Sequence, residues 1–503
     1  MTTAYDKLIA KTRERHLLGS TAQLLGWDQQ ALMPEQGIEF RARQLQLLAR
    51  LVHRMLTDPE LGDLLAAAND ELAGAAPESV EAVNVRELQR LWDRSTRVPE
   101  DLVAELSEVE SLAQHEWAKA RAADDFARFL PWLERLVTLE RRKAEALGVP
   151  EGGELWDALG DLYETGMRAA ALESLFRSLR QELVGLLEEL RAGGTPPARS
   201  LDVPLPIEDQ RRFVRFASEA IGFDYTRGRL DVSTHPFCSG SQPRDVRLTT
   251  RFTEDELFDA LYSTLHESGH GIYEQGLRYE HAGTPMGLAV SLGVHESQSR
   301  LWENTVARSR AFWDWLTPRL GGFFGARLAG WSAEDLWRAA NIVQPSLIRV
   351  EADELTYNLH VMVRFELELL LFRGELEPRD VPAAWNERYR DYLGIEVPDD
   401  RRGCLQDVHW SAGLFGYFPT YTLGNLYAAQ LYAKAEAELG PQAERFREGD
   451  FTTLRTWLGE RVHRQGQRWL APDLVREVTG ADPDPAYLIT ALRTKLRDVY
   501  RVA

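Results

Sequence analysis

The residues with most chemical content are His266-Glu267-Ser268-Gly269-His270, an H-E-x-x-H pattern. On an α-helix, residues four apart lie one turn up the same face, so both histidines can reach a single ion. Glu267 follows the first histidine and can face a water activated by that ion. Imidazole nitrogens suit Zn²⁺, and a catalytic zinc keeps one position open for water. Such a pattern can arise by chance, in which case both histidines are ordinary helix residues. A helix around the motif and a third ligand argue against chance.

The flanking residues predict that helix. Thr253 and Glu256 have capping-box spacing, Phe252 and Leu257 that of a hydrophobic staple. Leu257, Leu261 and Leu265 give a buried stripe, and Gly276 a stop. Ser268 and Gly269 are poor helix formers, but small residues there let another element come close to the metal. Val294-His295-Glu296-Ser297-Gln298 follows, with Glu296 lying 26 residues beyond His270. It opens a further helical pattern of Leu301, Val306, Phe312 and Trp315. His295 and Glu296 point about 100° apart on a helix, so one of them reaches the ion, and spacing does not choose between them.

Helical periodicity dominates the 503-residue chain, at 41–56, 103–147, 171–191, 334–342, 425–438 and 484–500. The Gly193-Gly194-Thr195-Pro196-Pro197 stretch, with Pro204 and Pro206, predicts a break near 192–207. It divides a helical lobe, 1–191, from a metal-binding lobe, 208–503. Strand signals are confined to 229–233 and 244–252, read as one small antiparallel sheet. The fold class is therefore mainly α.

A formal charge of −19 argues against nucleic acid or an anionic membrane as the main partner. The 14 Trp, 15 Tyr and 19 Phe exclude a disordered chain. Two cysteines, no secretory signal pattern and no long apolar run predict a soluble protein of the reducing cytosol.

The sequence also resembles the M32 family of metallocarboxypeptidases. The resemblance rests on the H-E-x-x-H motif with Asp245-Val-Arg-Leu-Thr249, His295-Glu-Ser-Gln298, Ile348-Arg-Val-Glu-Ala-Asp353 and Gly403-Cys-Leu-Gln-Asp-Val-His-Trp410, in that family's order. Trp27-Asp28 and Met33-Pro34 add to it, and it runs from about residue 5 to the C-terminus. It implies a two-lobed, neurolysin-like helical zinc-peptidase fold with a deep active-site groove, a homodimer, and removal of single residues from peptide C-termini. It implies Glu296 as third metal ligand beside His266 and His270, with Glu267 as general base. It implies Zn²⁺ as the ion, with Co²⁺ or Mn²⁺ as substitutes.

In related helical zinc peptidases a His and a Tyr stabilise the oxyanion, which implies His409 and Tyr421, with Tyr417 the alternative donor. A free C-terminal carboxylate needs a fixed cation, ideally a forked guanidinium. Arg247 and Arg349 stand in the signature blocks and are the candidates, assisted by Gln406; Asp245 and Asp353 are their expected acid partners. Cys404, His235, His281, His295 and His360 are read as structural. A zinc endo-oligopeptidase with the same metal centre is the alternative activity, and a metal-free helical scaffold the alternative class.

Overall fold

The computed structural model describes residues 2–197, 201 and 203–502. Residues 198–200 and 202, part of the predicted break, lie outside the described residues. Contacts divide the chain into two units, each drawn from three stretches. The first takes segments 1–96, 198–340 and 427–483; the second takes 97–197, 341–426 and 484–503. One of the crossings, 197/198, falls inside the Gly/Pro-rich stretch.

The first unit carries the motif. Its core is aromatic: Phe213, Phe312, Trp313 and Phe324 are fully buried, with Phe213 edge-on to Phe324 at 5.1 Å. Its N-terminal part opens with two helices, Ala4–Ala31 and Ile38–Leu56. The second of these has no buried residue, so its apolar stripe is only partly covered.

The small sheet holds three strands, β1 (Gly228–Val232), β2 (Cys238–Gln242) and β3 (Asp245–Thr250), in the order β1-β3-β2. It is mixed rather than antiparallel. β1 and β3, the two segments with strand signals, run parallel, and the antiparallel pair is β2 with β3. The chain after β1 runs out through β2 and turns back at Pro243-Arg244, so β3 inserts between its predecessors. The β2 sequence Cys-Ser-Gly-Ser-Gln has no β-branched or aromatic residue to announce it.

The motif helix spans Leu257–Gly276. It starts later than the capping box predicts. The Thr253 hydroxyl donates to the Glu256 carboxylate at 2.8 Å instead of capping backbone. The carbonyls of Thr253 and Glu254 are already taken, by Gln210 Nε2 at 2.7 Å and by the Leu205 amide at 2.6 Å. These tertiary bonds hold the segment out of the helix. Leu257, Leu261 and Leu265 are buried as the stripe requires.

The second unit is built on the long helices Glu100–Ala123, Phe126–Leu147, Ala169–Gly193 and Tyr357–Arg373. Tyr357–Arg373 is buried nearly all round, which explains why it carries Arg364, His360 and Glu368 with no exposed face. Each finds partners inside the unit, as a buried polar group must.

Candidate metal centre and carboxylate-binding cluster

Two helices of the first unit build the candidate metal site. His266 and His270 project from Leu257–Gly276, and Glu296 from Leu292–Arg300, whose N-cap Ser291 accepts from the Val294 amide. The helices meet at Gly269. A β-carbon there would sit 2.6 Å from the Gln298 carbonyl oxygen and 2.6 Å from Ser299 Cα, so only glycine permits this approach. Gly276 serves the same purpose at the helix end, where His463 packs against it.

The approach brings Glu296 Oε2 to 3.6 Å from His266 Nε2 and 3.5 Å from His270 Nε2. Tetrahedral ligands about 2.0–2.1 Å from zinc stand about 3.3–3.5 Å from one another, so the spacing fits an ion of that kind. Among the described residues this is the only group of three or more His, Cys, Asp or Glu whose donor atoms all lie within 4.8 Å of one another.

The electrostatics favour a charged carboxylate at Glu296 and a neutral imidazole at His270. Burial alone would push the Glu296 carboxyl up, but Arg300 and His266 outweigh it and hold the group well below its ordinary range. His270 is pushed down to about 3, by burial first and then by neighbouring His295. Its Nδ1 lies 3.0 Å from the His295 carbonyl oxygen, which leaves Nε2 on the Glu296 side. His266 moves the other way: burial disfavours its charge, but Glu296 and Glu303 outweigh burial. Glu267 is 6 % exposed, and burial pushes its carboxyl up to about 7.

The second unit gathers another set of the expected residues. His409 Nε2 lies 3.2 Å from Tyr421 Oη, and the Tyr417 ring centre is 5.5 Å from that of His409. Burial, then Arg349, pushes His409 down to about 4, so it is a neutral imidazole at neutral pH. Arg349 is buried. Its Nε and Nη2 donate to Asp407 at 3.1 and 2.8 Å, and its Nη1 to Tyr357 Oη at 2.9 Å. Gln406 joins this cluster, accepting from the Arg349 amide at 2.8 Å and from Arg364 Nη2 at 2.7 Å.

The acid partner of Arg349 is thus Asp407, not the expected Asp353. Asp353 instead accepts from the Leu355 and Thr356 amides, both at 3.0 Å, and from the Gln344 amide at 3.0 Å, a turn-forming role. Burial would raise the Asp407 carboxyl, but Arg349 and Arg364 outweigh it and hold it far below its ordinary range. Arg247 stands in the first unit on β3. It pairs with Asp245 through Nε and Nη2 at 2.9 and 3.1 Å, as expected, and its guanidinium lies 4.3 Å from the Trp27 ring centre.

Sequence reasoning passed over Arg300, Glu303, Arg364 and Asp407, and set His295 aside although its Nδ1 lies 2.6 Å from His270 Nδ1. Asp407 stood inside a quoted block, three residues from Cys404 and beside Gln406, so the block itself was the available signal.

The chain is 50 % identical to thermostable carboxypeptidase 1 of Thermus thermophilus, over 99 % of each chain. It is 34 % identical to carboxypeptidase 1 of Bacillus subtilis, over 95 % of each. The crystal structure of an M32 carboxypeptidase from Deinococcus radiodurans R1 superposes with a TM-score of 0.95 at 41 % identity, covering 99 % of this chain and 100 % of that one. The sequence profile described as Carboxypeptidase Taq (M32) metallopeptidase matches residues 7–496, and the chain belongs to this family of metallocarboxypeptidases.

Proposed function

We propose that this metallocarboxypeptidase is a zinc enzyme releasing single amino acids from peptide C-termini, with His266, His270 and Glu296 as ligands and Glu267 as general base. One observation carries this reading: both histidine Nε2 atoms converge on a single Glu296 oxygen, next to a buried Glu267. The named relatives are carboxypeptidases, which disfavours the endo-oligopeptidase alternative.

When bound, the ion supplies Lewis acidity and a water acidified toward ~7; Co²⁺ or Mn²⁺ can stand in for it. Glu267 takes the proton of the attacking water and returns it to the leaving amine nitrogen. A carboxyl near 7 suits both transfers at neutral pH. Neutral His409 and the Tyr421 hydroxyl act as donors to the oxyanion, with Tyr417 the alternative; the His409–Tyr421 pairing supports this role.

Arg349 and Arg247 are the proposed contacts for the substrate's free carboxylate. Asp245 holds Arg247 through both carboxylate oxygens, and Asp407 holds Arg349 by taking its Nε and Nη2 on Oδ1, which preorganises both guanidinium groups. Gln406, bound to the Arg349 amide, assists by fixing that residue's backbone. The enzyme acts as a cytoplasmic homodimer. Its two free cysteines suit a reducing compartment, and the exposed Leu17, Leu32 and Phe40 of the first two helices offer an apolar face to a second copy. Among the described residues no helix is long and apolar enough to cross a membrane.

The test is a mass-spectrometric time course on one peptide with a free and with an amidated C-terminus. The reading expects a ladder of products shortened from the C-terminus, and resistance of the amide. Internal cleavage at equal rates on both would overturn it.

A further inference from the structure

His266 offers Nε2 to the site, and its other nitrogen, Nδ1, lies 2.8 Å from Glu303 Oε2. Glu303 is buried, 9 % exposed, and belongs to neither the ligand set nor the proton pathway. Arg300 stands between the two carboxylates. Its Nε donates to Glu296 Oε1 at 2.7 Å and its Nη1 to Glu303 Oε2 at 3.2 Å. The four-residue offset from Glu296 to Arg300 returns to within about 40° on an α-helix, which puts these two on one face, and the Nη1 contact brings Glu303 beside them.

The helix changes character just after Arg300. Leu301–Val306 is a π-helical turn, closed by the Ala307 amide donating to the Trp302 carbonyl at 2.9 Å. In such a turn residues five apart become neighbours, and Arg308 Nη2 lies 3.6 Å from Glu303 Oε1. π turns are rare and concentrate at functional sites. Two acids and two arginines thus balance in charge at the edge of the metal site. Buried charges are costly unless paired, and these pairs end on two of the three donors.

We propose that Glu303 and Arg300 are positioning residues that set the donor atoms of the metal centre, an inference that rests on the zinc reading above. Glu303 accepts from His266 Nδ1–H, which fixes the tautomer and leaves the Nε2 lone pair facing the ion. Arg300 occupies Glu296 Oε1, so Glu296 presents only Oε2, the oxygen nearest both histidines. The device selects one atom from each of two groups that could offer either.

Zinc affinity of the full-length chain, measured by competition with a chromophoric chelator, tests this without turnover. In E303Q the side chain keeps its shape and an acceptor but loses its charge. The zinc Kd is expected to rise about 10–100-fold with an unchanged circular dichroism spectrum. A Kd within about twofold of wild type overturns the proposal, because a merely space-filling Glu303 would tolerate the isostere. R300K keeps a cation but has no Nε donor beside Oε1. Its Kd is expected to rise as well, and X-ray absorption at the zinc edge should show Glu296 adding its second oxygen. If E303Q does not fold, R300K alone decides: unchanged affinity and coordination overturn the proposal. Wild-type chain that takes up no zinc would instead refute the underlying zinc reading, so the two failures are distinct.

Discussion

Gly269 on one helix faces the Gln298 carbonyl on the next so closely that a β-carbon would come within 2.6 Å of that oxygen. The neighbour is backbone and cannot swing away, so the proposed metal ligands of the two helices share one rigid contact. Gly269→Ala should cost about 1–3 kcal/mol of stability through overpacking. It should also weaken zinc binding, because Glu296 is displaced with its helix. Urea unfolding of the metal-free protein and a zinc titration check both; two unchanged values would contradict the account of the contact.

Glu267→Gln removes the proposed base and none of the proposed ligands. Bound zinc should stay at the wild-type stoichiometry while kcat falls at least ~10²-fold. Metal analysis beside steady-state kinetics makes the check, and full activity in this variant would remove Glu267 from the mechanism.

Much of this centre was legible because its chemistry sits in short spacings. The H-E-x-x-H spacing puts the two histidines on one helix face, and the leucine stripe at 257, 261 and 265 gives that helix its buried side. What periodicity could not show was tertiary. The helix starts at Leu257 because Gln210 and Leu205 claim the carbonyls before it. Spacing left His295 and Glu296 level; the fold turns Glu296 to both Nε2 atoms and His295 to Nδ1 of His270 and to Glu274. Asp353 was paired with Arg349 by proximity in sequence, yet Asp407, 58 residues on, holds it. β2 carries no β-branched or aromatic residue, so its sequence gives no strand signal.

Arg349 meets Asp407 through two guanidinium nitrogens, a geometry lysine cannot reproduce. Arg349→Lys keeps the charge and loses the fork. For peptides with a free C-terminus, kcat/KM should fall at least ~10-fold, and the preference for free over amidated ends should shrink. Parallel kinetics on the two substrates measure that ratio. An unchanged ratio would assign carboxylate recognition elsewhere.

Glu368 supplies a pH signature. It accepts from Trp156 Nε1 at 3.0 Å, Trp410 Nε1 at 2.9 Å and the Gly416 amide at 2.9 Å, yet burial pushes its carboxyl from 4.5 up to about 7. Between those values the folded chain holds a proton that the unfolded chain has released. The group's contribution to stability therefore falls as pH rises through this window, by at most about 3 kcal/mol, and is level outside it. Denaturant unfolding of metal-free wild type and Glu368→Gln from pH 4 to 8 tests this. The wild-type advantage should decline across the window, and a pH-independent difference would contradict the assignment.

Anomalous diffraction at the zinc edge, on crystals of zinc-loaded wild-type protein, tests the central claim most directly. The account predicts one strong peak per chain within bonding distance of His266 Nε2, His270 Nε2 and Glu296 Oε2, with a position left open beside Glu267. A fully loaded crystal whose peak lies elsewhere, or whose Glu296 stays outside the coordination sphere, would contradict it.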